Sequence, residues 1–199
     1  MVDNNLDMKH HIQKLCKAAS FGIHKIGKLR KYLDQSSTER LVNAYVISQL
    51  DYCNSLLINL PTTQLSKLQR IQNTAARLIT RTRKHEHVTP IIRSLHWLHI
   101  PQRIQFKVLL LTYKARAGLA PSYISDLITT KAQTSSMNLR SSSSSHLQLA
   151  PGPRTHTRYG DRAFSVRAPK LWNNLPTVIR NAPTVETFKK HLKTYLFNS

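Results

Sequence analysis

Chemistry in a protein of 199 residues begins with its ionisable and nucleophilic side chains, and here these are dispersed. The acids number nine: Asp3, Asp7, Asp34, Glu39, Asp51, Glu86, Asp126, Asp161 and Glu186. No two are adjacent, so no pair is placed to hold a catalytic metal or to share a proton. Ten histidines include two close pairs, His85/His87 and His96/His99. A zinc site needs about four nitrogen or sulfur ligands, and the two cysteines, Cys16 and Cys53, lie far upstream without CxxC spacing. His85-Glu86-His87 also lacks the three-residue separation of a zinc-protease helix. Cys16 and Cys53 sit among apolar helical residues and read as small buried hydrophobes rather than nucleophiles. Only five glycines are present, and none forms a phosphate-cradling loop. The sequence predicts no enzyme acting alone, with no catalytic residue, no metal and no cofactor.

Binding is better represented. Lys and Arg total 30 against nine acids, a net charge of +21 and a pI near 10.6. Such an excess exceeds what solubility requires and points to a polyanion: RNA, DNA or an anionic membrane surface. The cations recur at helical spacing. Lys14, Lys17, Lys25 and Lys28 lie opposite one apolar stripe, and Arg70, Arg77 and Arg81 opposite another, with Arg83 and Lys84 just beyond. Arginine suits planar, bidentate contact with phosphate. Arg158-Tyr159 and Arg162 place an aromatic ring between cations in a polar loop, a candidate for stacking on bases. Trp97 and Trp172 have apolar neighbours and are expected in cores. The alternative for each basic stripe is a solvated helix face.

These residues must be carried by a mainly α fold. Apolar positions at three- and four-residue steps predict a helix over 7–33 (Ile12, Leu15, Ala19, Ile23, Ile26, Leu33), weakened or kinked at Gly22 and Gly27. Ser36 and Glu39 fit a reciprocal capping box for a second helix over 37–57, with Leu41, Ala44, Tyr45, Ile47 and Leu50 inward. Thr62 suits the cap of a third over 63–82, burying Leu65, Leu68, Ile71, Ala75, Leu78 and Ile79. Thr89-Pro90 opens a short helix, Pro101 a longer one ending at Gly118, and Pro121 another short one. Residues 134–146, with serine at every position from 141 to 145, read as a linker. Strand-like pieces follow at 147–150 and 163–166, and Thr184 caps a last helix. The expected organisation is a helical bundle (1–82), a helical extension (83–133), a Ser-rich linker (134–146) and a small basic α+β module (147–199). No apolar run approaches the roughly 20 residues of a membrane span, so no membrane partner is expected. The start lacks the order of a signal peptide, and two cysteines make no disulfide framework, which predicts an intracellular home in nucleus or cytoplasm.

Five strings carry a family resemblance. They are Leu50-Asp51-Tyr52-Cys53-Asn54-Ser55-Leu56-Leu57, then Leu68-Gln69-Arg70-Ile71-Gln72-Asn73-Thr74-Ala75-Ala76-Arg77, and Leu95-His96-Trp97-Leu98. Phe106-Lys107-Val108-Leu109-Leu110-Leu111-Thr112-Tyr113-Lys114 and Leu171-Trp172-Asn173-Asn174-Leu175-Pro176 complete the set. In this order the chain resembles the region after the polymerase core in LINE-type (non-LTR) retrotransposon reverse transcriptases of the jockey, chicken-repeat and Rex-Babar kind. The resemblance implies that residues 7–81 correspond to thumb helices, with 2–12 at the junction with the palm and the rest a C-terminal extension. It implies partners in RNA and/or DNA, bound largely without regard to sequence, and the remainder of a retroelement polyprotein. The palm's paired aspartates and the endonuclease of that family have no counterpart here, so no catalytic residue carries over. The expected function is a non-catalytic fragment that grips template–primer or element RNA through phosphates in target-primed reverse transcription. A protein-interaction or structural module and a translated relic without selected function remain the alternatives.

Overall fold

The structure, a computed structural model, describes residues 8–130, 148–157 and 159–198. It is mainly helical, and among the described residues one isolated antiparallel bridge, Thr130 to Leu149, is all that resembles sheet. The chain divides into two compact units, one ending at Ile104 and one beginning at Gln105. The linker expected at 134–146 lies outside the described residues.

In the first unit, α1 (Lys9–Leu29) runs unbroken for 21 residues. It buries Ile12, Ala19 and Ile26, with Leu15, Cys16 and Ile23 half-buried beside them. The expected kink is absent because Gly22 serves packing instead: a Cβ there would stand 3.3 Å from the carbonyl oxygen of Tyr45. The missing side chain lets two helices approach closely.

The second helical stretch begins earlier than its capping box implies. α2 (Gln35–Val42) is capped by Asp34, whose carboxylate accepts from the Ser37 N–H at 3.0 Å, while Thr38 Oγ1 donates to the Asp34 carbonyl. Ser36 is already inside the helix. The Ser37 hydrogen bonds are the largest cause holding the Asp34 carboxyl below its usual range. Because the folded value is lowered, this stabilisation is complete above the ordinary aspartate pKa of about 3.9 and is lost as pH falls through the folded value. Asp34→Ala should therefore lower the urea midpoint at pH 7, with the difference from wild type vanishing in strong acid; an equal difference at both pH values would contradict the cap.

Helix α2 continues through a π turn (Asn43–Ile47) into α3 (Ser48–Asp51), with the Ser48 N–H donating to the Asn43 carbonyl five residues back. Thr38, Val42, Val46 and Leu50 are buried at strict steps of four. That period is longer than the 3.6 of an α-helix, and a wider turn brings all four onto one side. In consequence Ala44 and Tyr45, expected inward, face solvent, and Val42 and Val46 replace them. The stretch ends at Asp51 rather than at residue 57. Cys53 has φ of 51° and is exposed rather than buried, and a 3₁₀ turn follows (Asn54–Leu57).

Helix α4 (Thr62–Thr80) buries Leu68, Gln72, Ala75, Ala76 and Ile79, and Leu65, Ile71 and Leu78 pack half-buried on the same core. Pro61, not Thr62, precedes its first turn. Gln72 is an addition to the expected core, acceptable because its amide donates to the Leu98 carbonyl at 2.8 Å. Next come α5 (Thr89–Ser94) and α6 (Ile100–Arg116), the latter running into the second unit. Trp97 is buried as expected.

The second unit holds the rest of α6, then α7 (Ser122–Ser125), α8 (Phe164–Asn173), α9 (Thr177–Arg180) and α10 (Val185–Asn198). Its centre is aromatic: Phe188 stacks on Tyr113 with centroids 4.4 Å apart and lies 5.7 Å from Trp172. The Tyr113 hydroxyl donates to the Ala182 carbonyl at 2.8 Å. The piece expected as strand at 163–166 is instead the start of α8. Leu149 is extended, but its backbone pairs with the Asn173 side chain, N–H to Oδ1 and carbonyl to Nδ2, both at 2.9 Å. A helix thereby supplies what a neighbouring strand would. Pro169 inside α8 has no N–H for the Ser165 carbonyl, and Gly152 lies against that oxygen so closely that a Cβ would come within 2.1 Å.

Candidate nucleic-acid interface

The apolar faces of α1 and α4 meet in the first unit's core, so their cationic flanks border a common open groove of about 990 Å³. Ile23, His24, Gly27 and Lys28 form one wall, and Arg70, Asn73, Thr74, Arg77 and Leu78 the other. Arg30, Arg81, Thr82 and Lys84 close one end, and none of these lining residues is acidic. Among the described residues, Lys28, Arg70 and Lys84 form no ion pair. All three side chains are exposed.

One end of the groove is fixed by a residue that the sequence reading passed over. Arg30 is 9% exposed, and all three of its nitrogens donate to carbonyls: Nε to Leu78 at 2.9 Å, Nη1 to Leu33 at 2.7 Å and Nη2 to Ile79 at 2.7 Å. It thus satisfies carbonyls in the last turn of α4, which lack helical partners of their own. Burial, then the nearby Arg81 cation, presses its pKa down, and Asp34 opposes them. A signal was available: Arg30 is the one arginine among the lysines of the first 31 residues. Its guanidinium spreads donors over three nitrogens in a fixed plane and so reaches carbonyls at three separate residues, which a single lysine nitrogen would have to serve from one point.

The α4 arginines differ from one another in their partners, although none of the three is buried. Arg70 is exposed. Arg77 is half-buried, with Nη2 donating to the Glu86 carbonyl at 3.0 Å. Arg81 caps α4 in the left-handed region (φ 55°) and donates from Nη2 to the Arg30 carbonyl at 3.1 Å. Glu86 also accepts from the Arg83 N–H at 3.2 Å, folding back the loop after α4. Lys84 lines the groove, whereas exposed Arg83 stands outside its lining.

Other expected contacts disperse. Lys28 belongs to the groove, but Lys14 lines a separate hollow of about 310 Å³ with His11, Leu15, Ala18, Gln49 and Tyr52. Lys25 Nζ stands 4.5 Å from the Phe21 ring centroid, and Lys17 is exposed and lines neither. Tyr159 is 47% exposed with the Arg162 guanidinium 5.7 Å from its ring centroid, a pair in the second unit. Arg158 lies outside the described residues. Cys16 is half-buried, and burial raises its thiol pKa against the opposing pull of Lys67.

Compared with protein-family models, curated proteins and solved structures, the chain matches none. The site must therefore speak through its own chemistry. Asp51 is engaged by Arg103, whose Nε donates to Oδ1 at 2.8 Å and whose Nη2 pairs with Oδ2, and Asn54 donates to the same Oδ1. Among the described residues no three His, Cys, Asp or Glu side chains gather at one place. Nor is any described helix long and apolar enough to cross a membrane. What the groove offers is positive charge in an open channel, on walls made of helix.

Proposed function

We propose that this chain is a non-catalytic nucleic-acid-binding fragment of a LINE-type reverse transcriptase, in which α1 to α4 act as thumb-like helices holding a sugar–phosphate backbone. The observation that carries the reading is the α1–α4 groove, cationic on both walls and without a single acid in its lining. Such a channel reads charge and shape rather than base identity. The five strings of resemblance support this reading, because in that family they would fall to the same helices in the thumb region. In that setting the grip would serve template–primer or element RNA during target-primed reverse transcription, beside the remainder of the polyprotein.

Lys28→Gln, Arg70→Gln and Lys84→Gln together test the groove, because all three side chains are exposed and none holds the fold. The triple variant should keep its helical circular dichroism. Its slope of log affinity against log salt on a random duplex should be shallower by about 3. An unchanged slope would place the grip elsewhere, and tighter binding to an acidic peptide than to duplex would favour a protein partner. Purified chain should extend no primer with Mg²⁺ or Mn²⁺, since two-metal phosphoryl transfer needs convergent carboxylates. Template-dependent extension by a preparation free of other polymerases would overturn the non-catalytic reading.

A further inference from the structure

The π turn at Asn43–Ile47 does more than lengthen a period: it leaves an aromatic ring in solvent. Such turns are rare and frequently mark functional sites. Tyr45 is 59% exposed, and a Cβ on Gly22 would meet its carbonyl oxygen and the Val46 side chain. Earlier on α1, His11, Lys14 and Ala18 share the hollow of about 310 Å³ with Gln49 and Tyr52. The two helical stretches thus run antiparallel along one seam, with Gly22 near residue 45 and His11 near residue 52. Two further rings beside it are open to solvent, Phe21 at 59% and Tyr52 at 72%. Lys14, Phe21 and Lys25 follow one another at steps of seven and four, which keeps them on one side of α1. The Lys25 ammonium stands over one face of the Phe21 ring, 4.5 Å from its centroid. None of the residues lining the hollow is acidic, and Asp51, beside Tyr52 in sequence, is already engaged by Arg103.

We propose that this seam is a stacking platform for single-stranded nucleic acid. Bases in a duplex cover one another's faces, so only an unpaired strand can lay them on exposed rings. Lys14 and Lys25 stand eleven residues apart, about 16 Å along the helix, the length of about four to five stacked nucleotides. Cations at that spacing follow the phosphates while rings take the bases, and any sequence suits, because every base has a flat face. Rings and cations together fit such a strand better than an acidic peptide, which offers charge without flat faces. The seam shares no lining residue with the α1–α4 groove. A strand here and a duplex there are separate events, and each can fail alone.

The test is fluorescence anisotropy of a short labelled oligothymidylate with the full chain carrying Lys28→Gln, Arg70→Gln and Lys84→Gln, which silences the groove. Adding Phe21→Leu, Tyr45→Leu and Tyr52→Leu, which keeps every charge, should weaken the oligothymidylate about 100-fold. In an otherwise wild-type chain the same three changes should leave duplex affinity within about twofold, because stacking plays no part there. Helical circular dichroism should persist, since all three rings are exposed. Lys14→Gln with Lys25→Gln should flatten the oligothymidylate salt slope by about 1.4. A wild type that binds oligothymidylate but no duplex would remove the groove and keep the platform. Undiminished oligothymidylate affinity in the ring variant would overturn the platform, as would equal losses for oligothymidylate and duplex. A ring variant that loses phosphatidylserine vesicles but keeps oligothymidylate would assign the rings to a membrane surface instead.

Discussion

Raising salt from 50 to 200 mM should weaken the chain's hold on a random duplex on the order of 10³-fold. About six cations lie in or beside the groove: Lys28, Arg70, Arg77, Arg81, Arg83 and Lys84. Each phosphate neutralised releases condensed counterions and adds about 0.9 to the slope of log affinity against log salt. Six contacts give a slope of about −5, and a fourfold rise in salt then produces the stated loss. Scrambling the duplex sequence at fixed salt should change affinity by less than about threefold, since backbone contacts carry no base information. Fluorescence anisotropy at five salt concentrations would measure both. A loss of less than tenfold across the range would show that the cations are solvated and do not face phosphates.

The largest effect on stability should come from Trp172. It is fully buried, stacks with Phe188 and carries the Arg116 guanidinium on its ring. Trp172→Ala should destabilise the second unit by about 3–5 kcal/mol through lost transfer energy and a cavity that the rigid Tyr113 and Phe188 rings cannot close. Trp172→Phe keeps a ring beside Phe188 and should cost less than half as much. Denaturant midpoints followed by circular dichroism would read both; a change below 1 kcal/mol for the alanine variant would contradict this account of the core.

The elements that a regular period describes were legible. Helices α1, α4 and α10 announce themselves by three- and four-residue apolar steps, and the Thr184 hydroxyl accepts from the Thr187 N–H as a cap should. Gly118 ends the α6 segment with φ of 69°. What escaped was structure set by a partner distant in sequence. Tyr45 faces outward because a π turn lengthens the local period, and that turn accompanies the close approach of Gly22 to residue 45. Leu149 reads as strand because it is extended, but the Asn173 amide that pairs with it lies 24 residues away. The same holds for the site. Spacing alone aligned Arg70, Arg77 and Arg81, whereas the tie of Arg81 to Arg30 spans 51 residues and leaves no trace in any local pattern. Lys14 and Lys28 share a helix but serve different hollows, because what α1 packs against changes along its length.

The tie between Arg30, Arg81 and the end of α4 also decides how the groove meets its ligand. A long cationic side chain brought to a phosphate normally loses rotamer freedom, at about 0.5–1.5 kcal/mol for each one immobilised. Arg81 and Arg77 have already lost much of it, because backbone carbonyls hold their guanidiniums before any ligand arrives. Lys28, Arg70 and Lys84 have not. The groove therefore combines two cations already held in place, Arg81 at its closed end and Arg77 on a wall, where a backbone would dock at little entropic expense, with three others whose rotamers are not held by hydrogen bonds and that could follow strands of different curvature. If the groove holds nucleic acid as proposed, such a division of entropy would let one site accept an A-form hybrid and a B-form duplex without changing its fold.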